Sequence, residues 1–227
     1  GRLMFYPFPA HLQKAITDHF SDLNAPHLSV ALEKLYAGYA ADQPLSKIES
    51  PLMALAYVDG RMPASVATLT HILNQLPQAF NPNSILDLGS GTGAILWAIP
   101  PRFSELKKMR LIEQNPHMVS VGQALAKTLP EPLNMPENWA TKSFLSTPLP
   151  ASDLVTCAYV LNELPDQKIK EVLPEIWDST RSFLVIVEPG TPAAFEMISR
   201  RSSSIQALTG RRLRQTGRSI RYFPLLL

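Results

Sequence analysis

The sequence predicts an α/β fold in which a helical N-terminal segment precedes a parallel sheet. Three observations carry this prediction. Apolar residues recur at helical spacing over residues 1–80, short apolar runs alternate with helical stretches from residue 84 onward, and the glycine-rich turn GSGTG occupies 89–93. Strands that alternate with helices in this way are typical of β-α-β units on a parallel sheet. A glycine turn directly after the first strand makes that sheet Rossmann-like.

The N-terminal segment contains at least three predicted helices. One covers LSVALEKLYAGYA (28–40), where apolar residues recur every three or four positions. Ser50-Pro51 has the pattern of a capping residue and a first-turn proline, and it opens LMALAYV, which Asp59-Gly60 ends. Met62-Pro63 opens the next helix, and Pro77 ends it. Its predicted buried face consists of Val66, Leu69, Ile72, Leu73 and Leu76.

Five strands and their connecting helices follow. The predicted strands are SILDLG, MRLIEQ, a weaker one over 139–145, DLVTCAYV and SFLVIVEPG. Asn115-Pro116 should cap one intervening helix and Asp166 another. Because apolar runs this short and continuous suit strands covered on both faces, we expect them to form the interior of the sheet.

Charge and cysteine content set limits on function. Residues 1–199 carry 14 Lys/Arg against 19 Asp/Glu, whereas 200–227 carry seven arginines and no acid. This tail has no sustained period, so we expect it to be disordered or atypical, with RNA binding as an alternative. The single cysteine, Cys157, excludes an internal disulfide, and its apolar strand predicts a packed core thiol. The predicted domains are 1–80, 81–199 and 200–227.

The glycine turn raises the question of its ligand. Gly89, Gly91 and Gly93 allow positive φ angles and close approach of a ligand to the backbone, and N–H groups at the start of the following helix favour an anion. GSGTGA also matches the dinucleotide fingerprint, with Glu113 about the right distance further on. Asp87, two residues before the first glycine, instead suits a ligand with an ammonium and a sulfonium, such as S-adenosylmethionine. We favour this ligand over a dinucleotide.

Four motifs make the chain similar to class I S-adenosylmethionine-dependent methyltransferases. They are DLGSGTG (87–93), LIEQN (111–115), DLVTCAYVLNEL (153–164) and VIVEPGTP (185–192). The upstream ALAYVDGRMPASVATL (54–69), together with EPGTP, resembles the methyltransferase-like family linked to the small ribosomal subunit of bacteria and mitochondria. The resemblance covers about residues 10–199. It implies a class I methyltransferase sheet that lacks its last strands here.

The expected site lies at the carboxyl ends of the first, second and fourth strands. Glu113 would accept hydrogen bonds from the ribose, and the adenine would lie near Ser143 and Phe144. The residues expected to bind the cofactor are Asp87, Gly89, Ser90, Gly91, Gly93, Glu113, Gln114, Ser143, Phe144 and Tyr159. Asn162 and Glu163 are candidate catalytic residues, with capping and a solvated loop as the alternative. Arg61 is a candidate substrate contact, with an ion pair between helices as the alternative.

The resemblance has one departure. Related proteins usually continue beyond EPGT with a cysteine cluster proposed to hold an iron–sulfur centre, whereas this chain has no cysteine after Cys157. We therefore expect no metal centre and regard the tail as a truncation or a shifted reading frame.

The predicted function is methyl transfer to the small ribosomal subunit, with its rRNA as the expected substrate. The first alternative is a non-catalytic assembly factor that keeps the cofactor-binding fold, and the second is a small-molecule methyltransferase. We expect neither a membrane nor DNA as a partner. The expected location is the bacterial cytoplasm, or the mitochondrion in a eukaryote.

Overall fold

The structure, a computed structural model, describes residues 10–20, 48–189 and 219–225. The chain divides into two compact units, and each unit is assembled from separate stretches of sequence. The first unit consists of Gly1–Asn81, Ser90–Ser104 and Glu113–Thr141, and the second unit consists of Pro82–Gly89, Glu105–Ile112 and Lys142–Leu227. The predicted boundaries at residues 80 and 199 stay predictions.

The described part of the first unit is mainly helical. Its elements are α1 (Ala10–Phe20), α2 (Pro51–Gly60), α3 (Met62–Asn74), α4 (Ala94–Trp97), α5 (Pro116–Ala126) and the short strand β3 (Trp139–Thr141). Ser50 caps α2 as predicted, because its Oγ accepts a hydrogen bond from the Met53 N–H at 3.1 Å. The helix predicted over 28–40 lies outside the described residues.

Helix α3 buries the face that the sequence predicts. Val66, Leu69, Ile72, Leu73 and Leu76 are all at most 4% exposed. Arg102 holds the C-terminal end of this helix, since its guanidinium donates to the carbonyl oxygens of Leu73 and Leu76 at 3.0 Å and of Pro77 at 3.1 Å. Leu73 lies in the last turn of α3, and Leu76 and Pro77 follow it. The Leu73 and Pro77 carbonyls also accept backbone N–H groups, so the cation adds donors at the end of the helix.

The described part of the second unit contains five parallel strands and one long helix. Its strands are β1 (Ser84–Leu88), β2 (Lys108–Glu113), β4 (Ser152–Ala158), β5 (Thr180–Pro189) and β6 (Ser219–Leu225), and its helix is α6 (Asp166–Asp178). The strand order is β2-β1-β4-β5-β6. The four pairings between neighbouring strands in this order are parallel, and Asp87 pairs with Leu111 on one side and with Thr156 on the other. The α/β prediction, with parallel strands in a Rossmann-like order, is thus confirmed.

Strand β6 belongs to the basic tail, which was expected to be disordered or atypical over 200–227. Within the tail, Ser219–Leu225 pair in parallel with Phe183–Pro189 of β5. The stretch SIRYFPL is rich in β-branched and aromatic residues, which suit strands, and pairing satisfies its backbone groups along the edge of β5. Pro224 is compatible with this position because β6 ends the described sheet, where one side needs no donor. β6 thus adds one parallel strand beyond β5 to the described sheet.

Two smaller predictions differ from the structure. The weak strand over 139–145 is only three residues long, because Ser143 ends it by capping a 3-10 turn at Phe144–Ser146. Asp166 does not cap α6 but is its first residue, and Pro165 occupies the cap position. A carboxylate in the first turn is still favourable for the helix.

Candidate cofactor-binding site

The glycine turn adopts the backbone conformation that its composition predicts. Gly89, Gly91 and Gly93 have φ angles of 67°, 57° and 85°. Residues with a β-carbon reach this region only with strain, whereas glycine enters it freely. The turn passes from the second unit to the first between Gly89 and Ser90, so its two parts are described in turn.

In the second unit, Asp87 places a buried carboxylate just before the turn. Its side chain is 5% exposed, and its Oδ1 accepts a hydrogen bond of 2.5 Å from the Thr156 hydroxyl. Residues 87 and 156 are register partners on β1 and β4, so the sheet itself fixes this contact. A buried carboxylate at the end of a strand is negative charge that a cationic ligand group can pair with.

Close packing at the end of β4 explains why residue 89 is glycine. A β-carbon at Gly89 would overlap the side chain of Val160. The neighbouring Tyr159 has a φ of 60°, which is uncommon for a residue other than glycine, and its N–H donates to Val187 O at 2.7 Å. The chain therefore turns sharply as β4 ends, close to the backbone of Gly89.

In the first unit, Glu113 closes the turn. Its carboxylate accepts hydrogen bonds from the backbone N–H groups of Gly91 at 3.0 Å and Asn115 at 2.7 Å. Burial raises the pKa of Glu113, although hydrogen bonds from the backbone of Asn115, Gly91 and Gln114 work in the opposite direction. Asn115 continues the connection, since its side chain caps α5 and donates to Ile48 O at 2.9 Å.

The N–H groups of all three glycines are engaged within the protein. Gly89 donates to Ile112 O at 2.8 Å, Gly91 to Glu113, and Gly93 to Ser90 O at 2.9 Å. Helix α4, which follows the turn, is four residues long and contributes little dipole. The expectation that N–H groups at the start of the helix favour an anion stays a prediction, and the three glycine N–H groups do not contribute to it. The side chains around the turn offer carboxylate acceptors instead.

Trp139 supports the turn from within the first unit. Its six-membered ring lies where a β-carbon of Gly93 would be 2.9 Å from Cη2 and Cζ2, and a β-carbon at Gly122 on α5 would overlap the same atoms. The ring is 8% exposed. No role was predicted for either Trp139 or Gly122 from the sequence. The signal that could have pointed to Gly122 is a glycine within an otherwise regular helical pattern.

The turn leaves room for a ligand on one side. A β-carbon at Gly91 would meet only Met118 Cε within 4 Å, at 3.7 Å, in contrast to the crowded Gly89 and Gly93. Beside it, the Thr92 hydroxyl is buried without a hydrogen-bond partner in the described part of the chain. In the first unit, the open space at Gly91, the half-buried Glu113 carboxylate and the unused Thr92 hydroxyl fit a ligand that carries hydroxyl donors.

Comparison with known proteins assigns the family. The family model described as "Mitochondrial small ribosomal subunit Rsm22" matches residues 51–212. The chain belongs to the Rsm22 family.

Individual proteins similar to this Rsm22-family chain share 30% or less of its sequence. It is 30% identical over 166 residues to the human "Ribosome assembly protein METTL17, mitochondrial". The matched region covers 69% of the chain and 35% of that relative. The chain thus spans about a third of the length of the curated relative it matches. Among solved structures, human N-acetylserotonin methyltransferase in complex with SAM is 16% identical, with a TM-score of 0.47 and coverage of 77% of the chain and 51% of the enzyme. A Nostoc punctiforme protein described as an O-methyltransferase is 15% identical, with a TM-score of 0.47 and coverage of 74% and 50%.

The remaining predicted residues of the Rsm22-family chain lie in different surroundings. Asn162 and Glu163 belong to the 3-10 turn Leu161–Glu163, where Glu163 is exposed, and the side chain of Asn162 is outside the described part. Phe144 is 7% exposed, and Ser143 Oγ accepts from Leu145 N–H at 3.3 Å. Gln114 and Arg61 are exposed, and the Arg61 carbonyl accepts from the Ser65 N–H and hydroxyl. Their predicted roles stay predictions.

Two buried groups lie at the carboxyl ends of the central strands of the second unit. Glu188, near the end of β5, is fully buried. It belongs to the motif VIVEPGTP, but no role was predicted for it. Cys157 is also fully buried, which confirms the predicted core thiol. Burial raises the pKa of Cys157 well above its usual value, and the carboxylates of Glu188 and Asp87 raise it further. An acid at the end of an apolar strand, as at Asp87, was the signal for Glu188.

Two further findings concern metals and membranes. Within residues 10–20, 48–189 and 219–225, no three histidine, cysteine or acidic residues are grouped to hold a metal ion. No helix in the same part of the chain is long and apolar enough to cross a bilayer. The expected absence of a metal centre stays a prediction.

Proposed function

We propose that the glycine turn binds S-adenosylmethionine. One observation carries this proposal: the N–H groups of Gly89, Gly91 and Gly93 are all engaged, the buried Asp87 carboxylate comes just before the turn in the second unit, and the Glu113 carboxylate holds Gly91 in the first unit. A pyrophosphate would meet negative charge and find these donors already used. A ligand with a sulfonium, an ammonium and ribose hydroxyls would instead meet acceptors.

Each flanking residue has a proposed role. Asp87 supplies buried negative charge for the cationic end of the ligand, and Glu113 accepts hydrogen bonds from the ribose hydroxyls. The open space at Gly91 lets the ligand approach the protein backbone. When bound, the sulfonium supplies a methyl group to a nucleophile in the substrate. Gln114, Ser143, Phe144 and Tyr159 are the proposed additional contacts.

We further propose that the substrate is RNA of the small ribosomal subunit, in the mitochondrion if the organism is eukaryotic. The family description and the name of the human relative support the ribosomal partner. Glu163 is exposed in the 3-10 turn that follows β4, and it is the proposed base. Asn162, beside it in the sequence, is proposed to orient the acceptor group of the substrate. The exposed Arg61 is the proposed contact to a substrate phosphate.

Calorimetry with S-adenosylmethionine tests the cofactor. We expect saturable binding by the full chain and a loss of about tenfold or more in affinity for Asp87→Asn, because removing a buried charge opposite a cation costs more than about 1.4 kcal/mol. Asp59→Asn removes an exposed carboxylate at the end of α2 and should bind like wild type. Binding of NAD instead of S-adenosylmethionine would reject the proposal.

Transfer of a labelled methyl group tests the reaction. The full chain is incubated with labelled S-adenosylmethionine and either purified small subunits or their extracted RNA. We expect label in RNA, reduced in Glu163→Gln and unchanged in Glu171→Gln, an exposed glutamate on α6. Label in ribosomal proteins alone would reject RNA as the substrate.

A second function is favoured by the name of the human relative, which is a ribosome assembly protein. In this case the chain binds the cofactor and the small subunit without transferring a methyl group. Saturable S-adenosylmethionine binding, together with co-sedimentation with small subunits and no label in any component, would support the assembly role over the methyltransferase.

A further inference from the structure

The amino-terminal half of β2 has one face open to solvent. Lys108 and Arg110 are exposed, whereas the alternate residues Met109 and Leu111 are fully buried. Lys107, directly before the strand, is exposed as well. We call Lys107, Lys108 and Arg110 the β2 basic face, in which Lys108 and Arg110 share one side of the strand and Lys107 precedes it. Its members lie within four consecutive positions.

This pattern is unusual for a parallel strand. Parallel sheets are normally covered on both faces, and their strands are apolar on both sides. Strand β1, which pairs with β2, follows that rule, because all five of its residues are buried. The alternation in β2 therefore marks a place where the sheet presents charge rather than a covered apolar surface.

The cations of the β2 basic face have no anionic partner among the residues that the structure describes. The ion pairs found there join Lys14 to Asp18 and Lys168 to Glu171, and neither involves this face. Residues 1–199 as a whole carry more acids than bases, so the cluster runs against the local charge balance. Three neighbouring like charges repel one another, and an anionic partner would relieve that repulsion.

We propose that the β2 basic face binds the phosphate backbone of RNA. This inference rests on the proposed function only for its partner, the small ribosomal subunit. Lys108 and Arg110 lie two residues apart on one strand face, roughly 6.6 Å along the strand, so both can contact one phosphate chain. Phosphate contacts of this kind position a protein on RNA without reading its sequence.

The composition of the face favours RNA over an acidic protein. Protein interfaces generally have an apolar centre with a polar rim. The outward residues on the exposed face of β2 are Lys108 and Arg110, and neither is apolar. Leu145, an exposed large apolar residue, belongs to a different element and supplies no apolar centre here. A row of cations without an apolar centre matches a polyanion. Because Glu113 ends the same strand, the basic face would anchor RNA at the end of β2 remote from the glycine turn.

The test compares two double variants with the same change in net charge. Lys108→Gln/Arg110→Gln removes two cations of the β2 basic face, and Lys168→Gln/Lys170→Gln removes two exposed cations of α6. Affinity of the full chain for a 20-nucleotide oligouridine is measured by fluorescence anisotropy at several salt concentrations. Because the arginines of 200–227 are present in every protein, differences between variants report on the substituted residues.

We expect the β2 variant to bind the RNA about tenfold more weakly at low salt. The slope of log affinity against log salt should fall by about 1.4 in magnitude, since each phosphate contact on a single strand contributes about 0.7. Binding to purified small subunits should weaken in parallel. The α6 variant should change neither quantity. Equal losses in both variants, or none in the β2 variant, would overturn the proposal.

Two further measurements separate this inference from its alternatives. Polyglutamate that binds wild type as well as RNA does, and is lost in the β2 variant, would assign the face to an acidic protein instead. Calorimetry with S-adenosylmethionine on the same variants should match wild type. If the cofactor fails to bind wild type while the RNA slope still falls in the β2 variant, the proposed methyltransferase is rejected and the RNA face stands.

Discussion

The ring of Trp139 lies against Gly93, where a β-carbon would come within 2.9 Å of its Cη2 and Cζ2 atoms. The same two atoms exclude a β-carbon at Gly122 on α5. One aromatic side chain thus connects the third glycine of the turn with a helix that starts more than twenty residues later. The conformation of the turn depends on both glycines, although only one belongs to the motif.

Gly122→Ala tests this connection. Alanine favours a helix over glycine by about 0.5–1 kcal/mol, but overpacking a rigid core typically costs about 1–3 kcal/mol. We expect overpacking to dominate, because the added methyl would meet the Trp139 ring and the Thr92 carbonyl. The variant should unfold at lower urea concentration and bind S-adenosylmethionine more weakly. Ser120→Ala, exposed on the same helix, should do neither, and Trp139→Phe should rescue Gly122→Ala. A Gly122→Ala protein as stable as wild type would contradict the packing described.

Thr156→Val should remove the hydroxyl that donates to the Asp87 carboxylate. A hydrogen bond to a charged group contributes about 1.5–3 kcal/mol, so we expect a loss of about that size in the free energy of unfolding, measured in urea. Thr156→Ser retains the hydroxyl and serves as the control. Equal stability of the valine and serine variants would show that the 2.5 Å hydrogen bond contributes little.

Glu113 should make stability depend on pH in a defined direction. Because burial raises its pKa in the folded protein, the folded state holds its proton at pH values where the unfolded state has lost it. This contribution is fully present below the ordinary glutamate pKa and is lost as pH rises through the raised value. The stability of wild type relative to Glu113→Gln should therefore decrease across that window, measured by urea denaturation. A constant or rising difference would contradict the raised pKa.

Arg102→Ala should destabilise the protein through the end of α3. Three carbonyl oxygens lose a charged donor at 3.0–3.1 Å, and hydrogen bonds to charged groups contribute about 1.5–3 kcal/mol each. Since water replaces part of this, we expect a net loss of about 3 kcal/mol. Arg102→Lys should recover only part of it, because an ammonium cannot match the planar fork of donors. Full recovery by lysine would reduce the effect to charge alone.

Cys157 should resist modification in the folded protein. The reactive species is the thiolate, and burial together with neighbouring carboxylates raises the pKa of Cys157 far above neutrality. With a single cysteine in the chain, a chromogenic disulfide reagent reports on this site alone. We expect no reaction at pH 7.5 in buffer and one equivalent in guanidinium chloride. Rapid reaction of the folded chain would place the thiol at the surface.

Periodicity and turn chemistry identified most of the described fold. The buried face of α3, the Ser50 and Asn115 caps and the strands β1, β2, β4 and β5 all follow from local patterns. Strand β6 did not, because its partner β5 ends thirty positions earlier and the intervening sequence, which contains six arginines, has no sustained apolar period. Pairing across such a distance is a tertiary effect that local patterns do not contain.

The site was predictable in part for the same reason. The positive φ angles follow from the glycines, but the partners of their N–H groups depend on which strand ends lie nearby. Glu113 was expected to face a ligand. Its carboxylate also accepts a hydrogen bond from the Gly91 N–H, a contact that only the fold reveals. Trp139 and Gly122 carry no chemical signature, and their importance comes from shape.

The position of β6 has a consequence for local opening of the sheet. Its seven residues pair only with β5 among the described strands, and 29 residues separate the two in sequence. Closing a long connection is entropically unfavourable, so releasing β6 returns much of that entropy while disrupting a single ladder. Amide protons of β6 should therefore exchange with solvent by sub-global opening well before those of β1 and β4. Release would uncover the hydrogen-bonding edge of β5, and with it a surface on which a second chain could add a strand.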